Sequence, residues 1–358
     1  MPHAIFVNNP GSTTTKTALF LDGNCAFERS VAHTPDELAP YKTIAEQLPM
    51  RLAAVESALL DAVSAAGLPG PEAVDAYVGR GGLTHPLQSG VYAINDEMRA
   101  DLTSARYGEH ASNLGALIAS AFGERFQKPA FIVDPVTVDE FDPVARVTGL
   151  PEIHRRSTFH ALNQKAVARK AAADLDSNYE DLCLVVVHMG GGISIAAHSF
   201  GRVIDVNDAL NEGPMSPERT GSLPLLPVID MAFSGQYDRS SLRRRINGQG
   251  GLVALVGTSD CKLVEDLAPV RPDYAAALDA MAYQISKWVG AMAVVLEGRA
   301  RAIVLTGGLA RSEYLTSRIR RKVAFLAPVL IYPGEAELAS LAAGALRVLE
   351  GREQPRVY

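Results

Sequence analysis

Apolar and polar positions alternate in blocks from the first residues onward. "AIFVNN" reads as a short apolar strand, "PGSTTT" as a polar bend, and "KTALFLDG" as a second β-leaning run ending in the hairpin signal Asp22-Gly23. The pattern predicts strand, tight turn at Pro10-Gly11, strand, turn. It returns in "LCLVVVHMGGGISIAAHSFGRVIDV", Leu182 to Val206: an apolar strand, a glycine-rich bend, an alternating strand, a turn at Phe200-Gly201 and a third strand. Such self-similarity predicts two equivalent halves of one chain; the other reading is two unrelated hairpins. "AIVLTGGLARSEYL", Ala302 to Leu315, differs and reads as strand, Gly307-Gly308 turn, helix.

Helical periods fill the spaces between. "STFHALNQKAVARKAAADL" predicts a helix capped by Ser157 or Thr158, with His160 in its first turn. Apolar residues at Leu278, Met281, Ile285, Trp288, Val289 and Met292 predict a buried amphipathic helix. "EAELASLAAGALRVLEG" predicts a closing helix. Strands alternating with helices give an α/β fold, and Leu150-Pro151 is the expected domain junction.

Composition narrows the class. At 358 residues, 47% hydrophobic and 21% charged, the chain can build two ordinary globular domains. A formal net charge of -6 argues against nucleic acid or an anionic membrane as partner, but leaves room for a small anion in a local basic pocket. Cys25, Cys183 and Cys261 lack paired spacing, against a disulfide framework or a cysteine zinc site. With no bilayer-length apolar run and no signal peptide, the expected address is the cytoplasm.

The candidate chemistry lies in polar residues where a core does not need them. The bend Ser12-Thr13-Thr14 before Lys16 is not a Walker cradle, because Thr15 stands where that motif needs glycine. By itself it is either a nest of N–H donors for an anion or a hydroxyl-rich hairpin without a ligand. Arg80 follows a strand in "YVGRGGL", Arg219 sits in the proline- and glycine-rich "EGPMSPERTGSLP", and Asp134 ends the strand "AFIVDPV". His110 and Asn113 open a helix, and His188 precedes the second bend. Each alone has an ordinary structural explanation. Two arginines, several histidines, a lysine and three glycine bends together suit two anionic reactants, as in phosphoryl transfer.

These segments, with "EHASNLGALIA", "FIVDPVTVDE", "GGLVALVGTSD", "LTGGLARS" and "YPGEAELASLAAGAL", run through nearly the full chain and resemble the butyrate kinase branch of the acetate kinase group. That group belongs to the actin/hexokinase/Hsp70-like phosphotransferases. The resemblance implies two actin-like (ribonuclease H-like) ATPase domains with an active-site cleft between them. Residues 1–150, completed by a C-terminal helix over 338–358, would form the first and residues 151–337 the second. By the same resemblance, Asn9, Ser12, Thr14 and Lys16 form the first phosphate hairpin, and His188, Gly190, Gly191 and Gly192 the second. Arg80 and Arg219 bind carboxylate and phosphoryl, His160 is the transition-state histidine, and Asp134 is the active-site aspartate. Glu337, with Asn9, lies near magnesium; Asp260, Gly307 and Gly308 belong to the adenosine pocket. Acetate kinases carry His-Leu-Gly-Asn-Gly in the second hairpin; Gly191 replaces that asparagine here, and "NPGS" replaces "NAGS" in the first.

The activity implied is reversible phosphorylation of butyrate by ATP, with Mg²⁺, to butyryl phosphate and ADP, in a homodimer or larger assembly. Acetate, propionate and isobutyrate are the alternative acceptors. A sugar kinase of the same superfold would need a base aspartate and a polar sugar pocket, which these motifs do not suit. A nucleotide-binding regulator would carry a DNA-binding head, which a strand beginning at Ile5 argues against.

Overall fold

The computed structural model describes residues 2–358, which divide into two compact units. The first runs to Val138 and takes back Ala336–Tyr358; the second is Asp139–Glu335. The crossing from one to the other thus falls upstream of the Leu150-Pro151 junction read from the sequence.

In the first unit, β1 (Ala4–Pro10), β2 (Thr14–Leu21), β3 (Asn24–Ala32), β4 (Ala76–Arg80), β5 (Val91–Ala93) and β6 (Ala130–Val133) form one sheet, ordered β3-β2-β1-β4-β6-β5. Strands β1, β2 and β3 pair antiparallel; β1, β4 and β6 pair parallel. Every residue of β1 is buried, as expected of a central strand covered on both faces. Helices Leu48–Ala65 and Asn113–Phe126 pack on this sheet, as does helix Glu337–Leu349. Phe6, Tyr77 and Phe122 meet between sheet and helix with ring centroids 5.6–6.4 Å apart.

The second unit repeats the plan. Its strands are β7 (Cys183–Met189), β8 (Ile193–Ser199), β9 (Arg202–Val206), β10 (Ala302–Gly307) and β11 (Val329–Pro333), ordered β11-β10-β7-β8-β9. The antiparallel and parallel pairings match those of β3, β2, β1, β4 and β6 in the first sheet, while β5, antiparallel to β6, has no counterpart. Even the β2–β3 and β8–β9 turns agree: Asp22-Gly23 and Phe200-Gly201 all have positive φ, the geometry of a tight primed hairpin. Helix Ala161–Asp174 covers β7 and β10, and helix Pro272–Val295 covers β7, β8 and β9. Leu278, Met281, Ile285, Val289 and Met292 lie in its core as their spacing predicts, with Trp288 half-buried at the edge.

The structure moves three element ends. His160, rather than Ser157 or Thr158, is the N-cap of helix Ala161–Asp174; its ring is engaged by β8, so it does not cap with its side chain. The closing helix stops at Leu349, and the tail beyond returns to pair Arg356 with Tyr92. After Gly307 a 3-10 turn, Gly308–Arg311, intervenes before helix Glu313–Val323, which Ser312 caps. Among the described residues no helix is long and apolar enough to cross a membrane.

Candidate active site

The first hairpin is shaped by what lies behind it. Asn9 and Lys16 are register partners on β1 and β2 and so share a sheet face, while Thr15 and Thr17 point into the interior. Ser12 and Thr13 are exposed at the bend. Behind it the fully buried Arg51 donates from Nη1 to Gly11 O (2.7 Å) and from Nη2 to Ser12 O (2.8 Å). It also reaches Thr15 Oγ1 at 3.1 Å and Gln47 Oε1 at 3.0 Å. A trans peptide points its C=O and N–H in opposite directions. Carbonyls drawn inward to Arg51 therefore turn the N–H groups of the same peptides away from it. His33 joins the tie through Thr15 Oγ1 at 2.9 Å, and burial, with Arg51 adding, holds its pKa below the usual histidine range.

Glu337 joins two further polar residues of this unit, Asn9 and Arg80. It opens helix Glu337–Leu349, where the dipole favours an anion. Its carboxylate accepts from Asn9 Nδ2 (2.6 Å) and pairs with the Arg80 guanidinium. Asn113 holds the loop after Arg80, accepting from Leu83 N (2.9 Å) and donating to Gly108 O (3.0 Å). His110 meets Ser112 Oγ at 2.8 Å; burial, with the nearby Arg80, lowers its pKa. Asp134 is buried and accepts from Ser89 Oγ (2.6 Å) and Gly90 N (2.8 Å).

In the second unit, the Gly190–Gly192 bend is closed by Gly190 N to Gly192 O (3.0 Å) and steadied by Ser216 Oγ on Gly191 O (2.6 Å). The Arg219 guanidinium packs against Gly192, where any Cβ would strike it. Its Nη1 donates to Ala209 O at 3.1 Å, and among the described residues no carboxylate lies within ion-pair reach. Burial lowers its pKa, against the pull of Glu218 and Asp208. His160 and His188 stack with centroids 3.7 Å apart and planes 11° from parallel. His188 Nδ1 meets Asn163 Oδ1 at 2.8 Å. Its buried Nε2 lies 3.1 Å from Glu335 Oε1, off the line of a hydrogen bond.

Beside this bend opens a cavity of about 880 Å³, lined among others by Gly190, Gly191, Asp260, Gly308, Arg311 and Glu335. That volume suits a nucleotide-sized ligand. Asp260 caps helix Cys261–Leu267 through Leu263 N at 3.0 Å, so its carboxylate shapes the wall. Gly307, at φ 88°, lets β10 approach the Met189 carbonyl more closely than any side chain allows.

Within the first unit the structure thus brings Asn9, Arg80 and Glu337 together and sets Lys16 on the face of Asn9. Within the second it brings His160 to His188, Arg219 to Gly192, and Asp260 and Gly308 to one cavity. Sequence reasoning missed Arg51, Asn163, Gln164, Ser194, Ser216 and Glu335. Arg51 had a signal: with Val55, Ala58, Leu59 and Ala62 it occupies the apolar stripe of its helix, where an arginine is out of place.

Residues 151–327 match the Acetokinase family. The fold is similar to that of an acetate kinase from Porphyromonas gingivalis, at TM-score 0.75 and 19% identity, over 97% of this chain and 100% of that one. It is also similar to a propionate kinase from Francisella tularensis, at TM-score 0.68 and 18% identity, over 95% and 98% of the two chains. A ROK hexokinase from Thermus thermophilus aligns at TM-score 0.50 and 15% identity, over 97% and 99%. The duplicated α/β architecture is therefore similar in fold to these acetate kinase and hexokinase-like neighbours, and the match to the Acetokinase family lies in residues 151–327.

Proposed function

We propose that the protein is a carboxylate kinase that moves the γ-phosphoryl group of ATP reversibly onto a short-chain acid, with butyrate as the preferred acceptor. Arg219 carries this reading. A desolvated guanidinium without a carboxylate partner is costly in a folded protein unless an anion completes it. Its place against a bare glycine bend suits a phosphoryl group, whose geometry the guanidinium fork matches. The match of residues 151–327 to the Acetokinase family supports the same reaction class. Gly191 and the "NPGS" hairpin favour butyrate over acetate.

The chemistry asks little covalent help of the protein. A free carboxylic acid, with a pKa of about 4 to 5 by analogy with the side chains, is already a nucleophile at neutral pH and needs no base. The obstacle is repulsion between two anions. Arg80 would neutralise the incoming carboxylate, Arg219 the transferring group, and His160 would donate to an equatorial phosphoryl oxygen. The acid oxygen bonds to phosphorus as the bond to the ADP oxygen breaks, in line. Asp134 would orient rather than take a proton.

Mg²⁺ takes oxygen ligands and usually arrives with ATP, holding several waters and one or two carboxylates. The Glu337 carboxylate with Asn9 fits that modest demand, and among the described residues no cluster of three or more metal-binding side chains offers a resident site. Bound there, the metal would supply charge neutralisation on the phosphates.

Trapping the product with hydroxylamine tests the proposal. Hydroxamate should form with butyrate in preference to acetate, propionate and isobutyrate, and one methylene is worth only about 1–3 kcal/mol of preference. Hydroxamate from none of the four, with ADP released on adding glucose, would replace it with a sugar kinase.

A further inference from the structure

We infer that Ser194 is a positioning residue, held by Gln164, which fixes His160 as the neutral tautomer protonated on Nε2. His160 is thereby a hydrogen-bond donor to the transferring group and not a base. This deepens the kinase reading and rests on it for the ligand, but the tautomer itself is a property of the second unit's interior.

The argument starts from an atom that can only accept. On β8, Ile193, Ile195 and Ala197 face the apolar core, so the alternate residues Ser194 and His198 share the opposite face, where both are fully buried. Gln164, also fully buried, comes from helix Ala161–Asp174. Its amide stands 3.0 Å from Ser194 O and 2.8 Å from Ser194 Oγ. A backbone carbonyl has no proton, so the amide end beside it must be the NH₂ group. That orientation sets the rest. Gln164 Oε1 is then at the other end, 3.0 Å from His198 Nε2, which must donate. Burial, with Lys165 and Arg169 nearby, pushes the His198 pKa well below its usual value and keeps the ring neutral. Its Nδ1 is therefore an acceptor, and the Tyr179 hydroxyl donates to it at 2.8 Å.

On the other side, both Gln164 protons are engaged by Ser194, so Ser194 Oγ accepts. Its own proton is directed to His160 Nδ1, 2.9 Å away. A His160 that accepts at Nδ1 carries its proton on Nε2. The stacking suits a neutral His160, since two imidazolium rings with centroids 3.7 Å apart would repel. The chain Tyr179, His198, Gln164, Ser194, His160 thus runs in one direction, from hydroxyl donor to ring acceptor.

The test is a nitrogen NMR spectrum of the full chain with ¹⁵N-labelled histidine, His160 being assigned by the signal lost in His160→Gln. The expected pattern at neutral pH is protonated Nε2 and bare Nδ1. Gln164→Glu supplies only acceptors, so Ser194 turns its proton toward the new carboxylate and His160 should flip to the Nδ1-protonated form. Turnover should then fall about 100-fold, with KM for ATP within about two-fold. Ser194→Ala, which needs no buried charge, should give a mixture of tautomers and a smaller fall. A wild-type His160 that is protonated on Nδ1 or doubly protonated overturns the inference. So does a tautomer unchanged in both variants, or a rise in KM with turnover intact. If no acid is phosphorylated by the wild type, the kinase reading fails while the spectrum still decides the tautomer.

Discussion

The bend after β1 and the bend after β7 occupy the same place in the same strand order, yet one is fastened by a buried cation and the other presses on one. Behind the first, Arg51 is fully enclosed and its charge is answered by backbone carbonyls, a threonine hydroxyl and a glutamine. Beside the second, Arg219 is only partly enclosed and has one carbonyl partner among its side-chain bonds. The same residue type is thus structural in one half and available in the other. What separates them is completeness of hydrogen bonding, which decides whether a guanidinium still gains by meeting an anion.

Four experiments would break or sharpen this contrast. The largest effect is expected from Arg219→Ala: kcat/KM should drop about 1,000-fold, a loss of about 4 kcal/mol of transition-state stabilisation, with thermal unfolding nearly unmoved. Turnover close to wild type would strip the residue of its role. Next, Arg51→Met should cost the first unit about 3 kcal/mol by leaving buried carbonyls unsatisfied, read from the denaturant midpoint. An unchanged midpoint would mean the hairpin holds its shape unaided.

Third, Gly192→Ala should lower kcat/KM about 10- to 100-fold by displacing the guanidinium, whereas Gly191→Ala, whose Cβ would meet only Glu218 Oε2 at 3.6 Å, should change it by less than about 3-fold. Equal losses would show that the bend, not Arg219, is sensitive to bulk.

The smallest effect is on acid stability. His33 and His198 both have pKa values lowered by burial. The unfolded chain therefore takes up protons first, so stability is full above the unfolded value of about 6.5 and falls as pH drops through it. Each histidine contributes a slope of at most about 1.4 kcal/mol per pH unit, and His198, shifted further, keeps its slope to lower pH. Urea titrations between pH 7 and pH 5 on His33→Gln and His198→Gln should show flatter profiles, the second over a wider range. Parallel profiles for variants and wild type would remove these groups from the acid response.

The sequence made the duplicated hairpins legible because their signals are local: glycines, hydroxyls and turn pairs lie within a few residues of where they act. Arg80 and His188 were legible as polar residues at strand ends, His160 at a helix start and Arg219 in an irregular segment, whereas Asn9 entered through the family resemblance alone. The supporting groups were not. Arg51 acts on residues some 40 positions away, and Gln164 finds Ser194 across 30. Such pairings exist only once helix has met sheet. The helix starting at Ala161 was misjudged by a few residues for the same reason: a tertiary bond from His160 to Ser194 outweighs the local preference for a serine or threonine cap.

Asp134 leads to a different kind of constraint. Its backbone turns left-handed at φ 40°, and its carboxylate swings back to Ser89 and Gly90 while its own N–H bonds Gly90 O at 3.1 Å. Glycine would make that turn without strain but has no oxygen to offer; glutamate has the oxygens but too long a reach; asparagine tolerates the turn yet brings a weaker, uncharged acceptor. The position is a rivet joining two returns of the chain, and its narrow choice of residue would persist even in a descendant that had lost every catalytic talent.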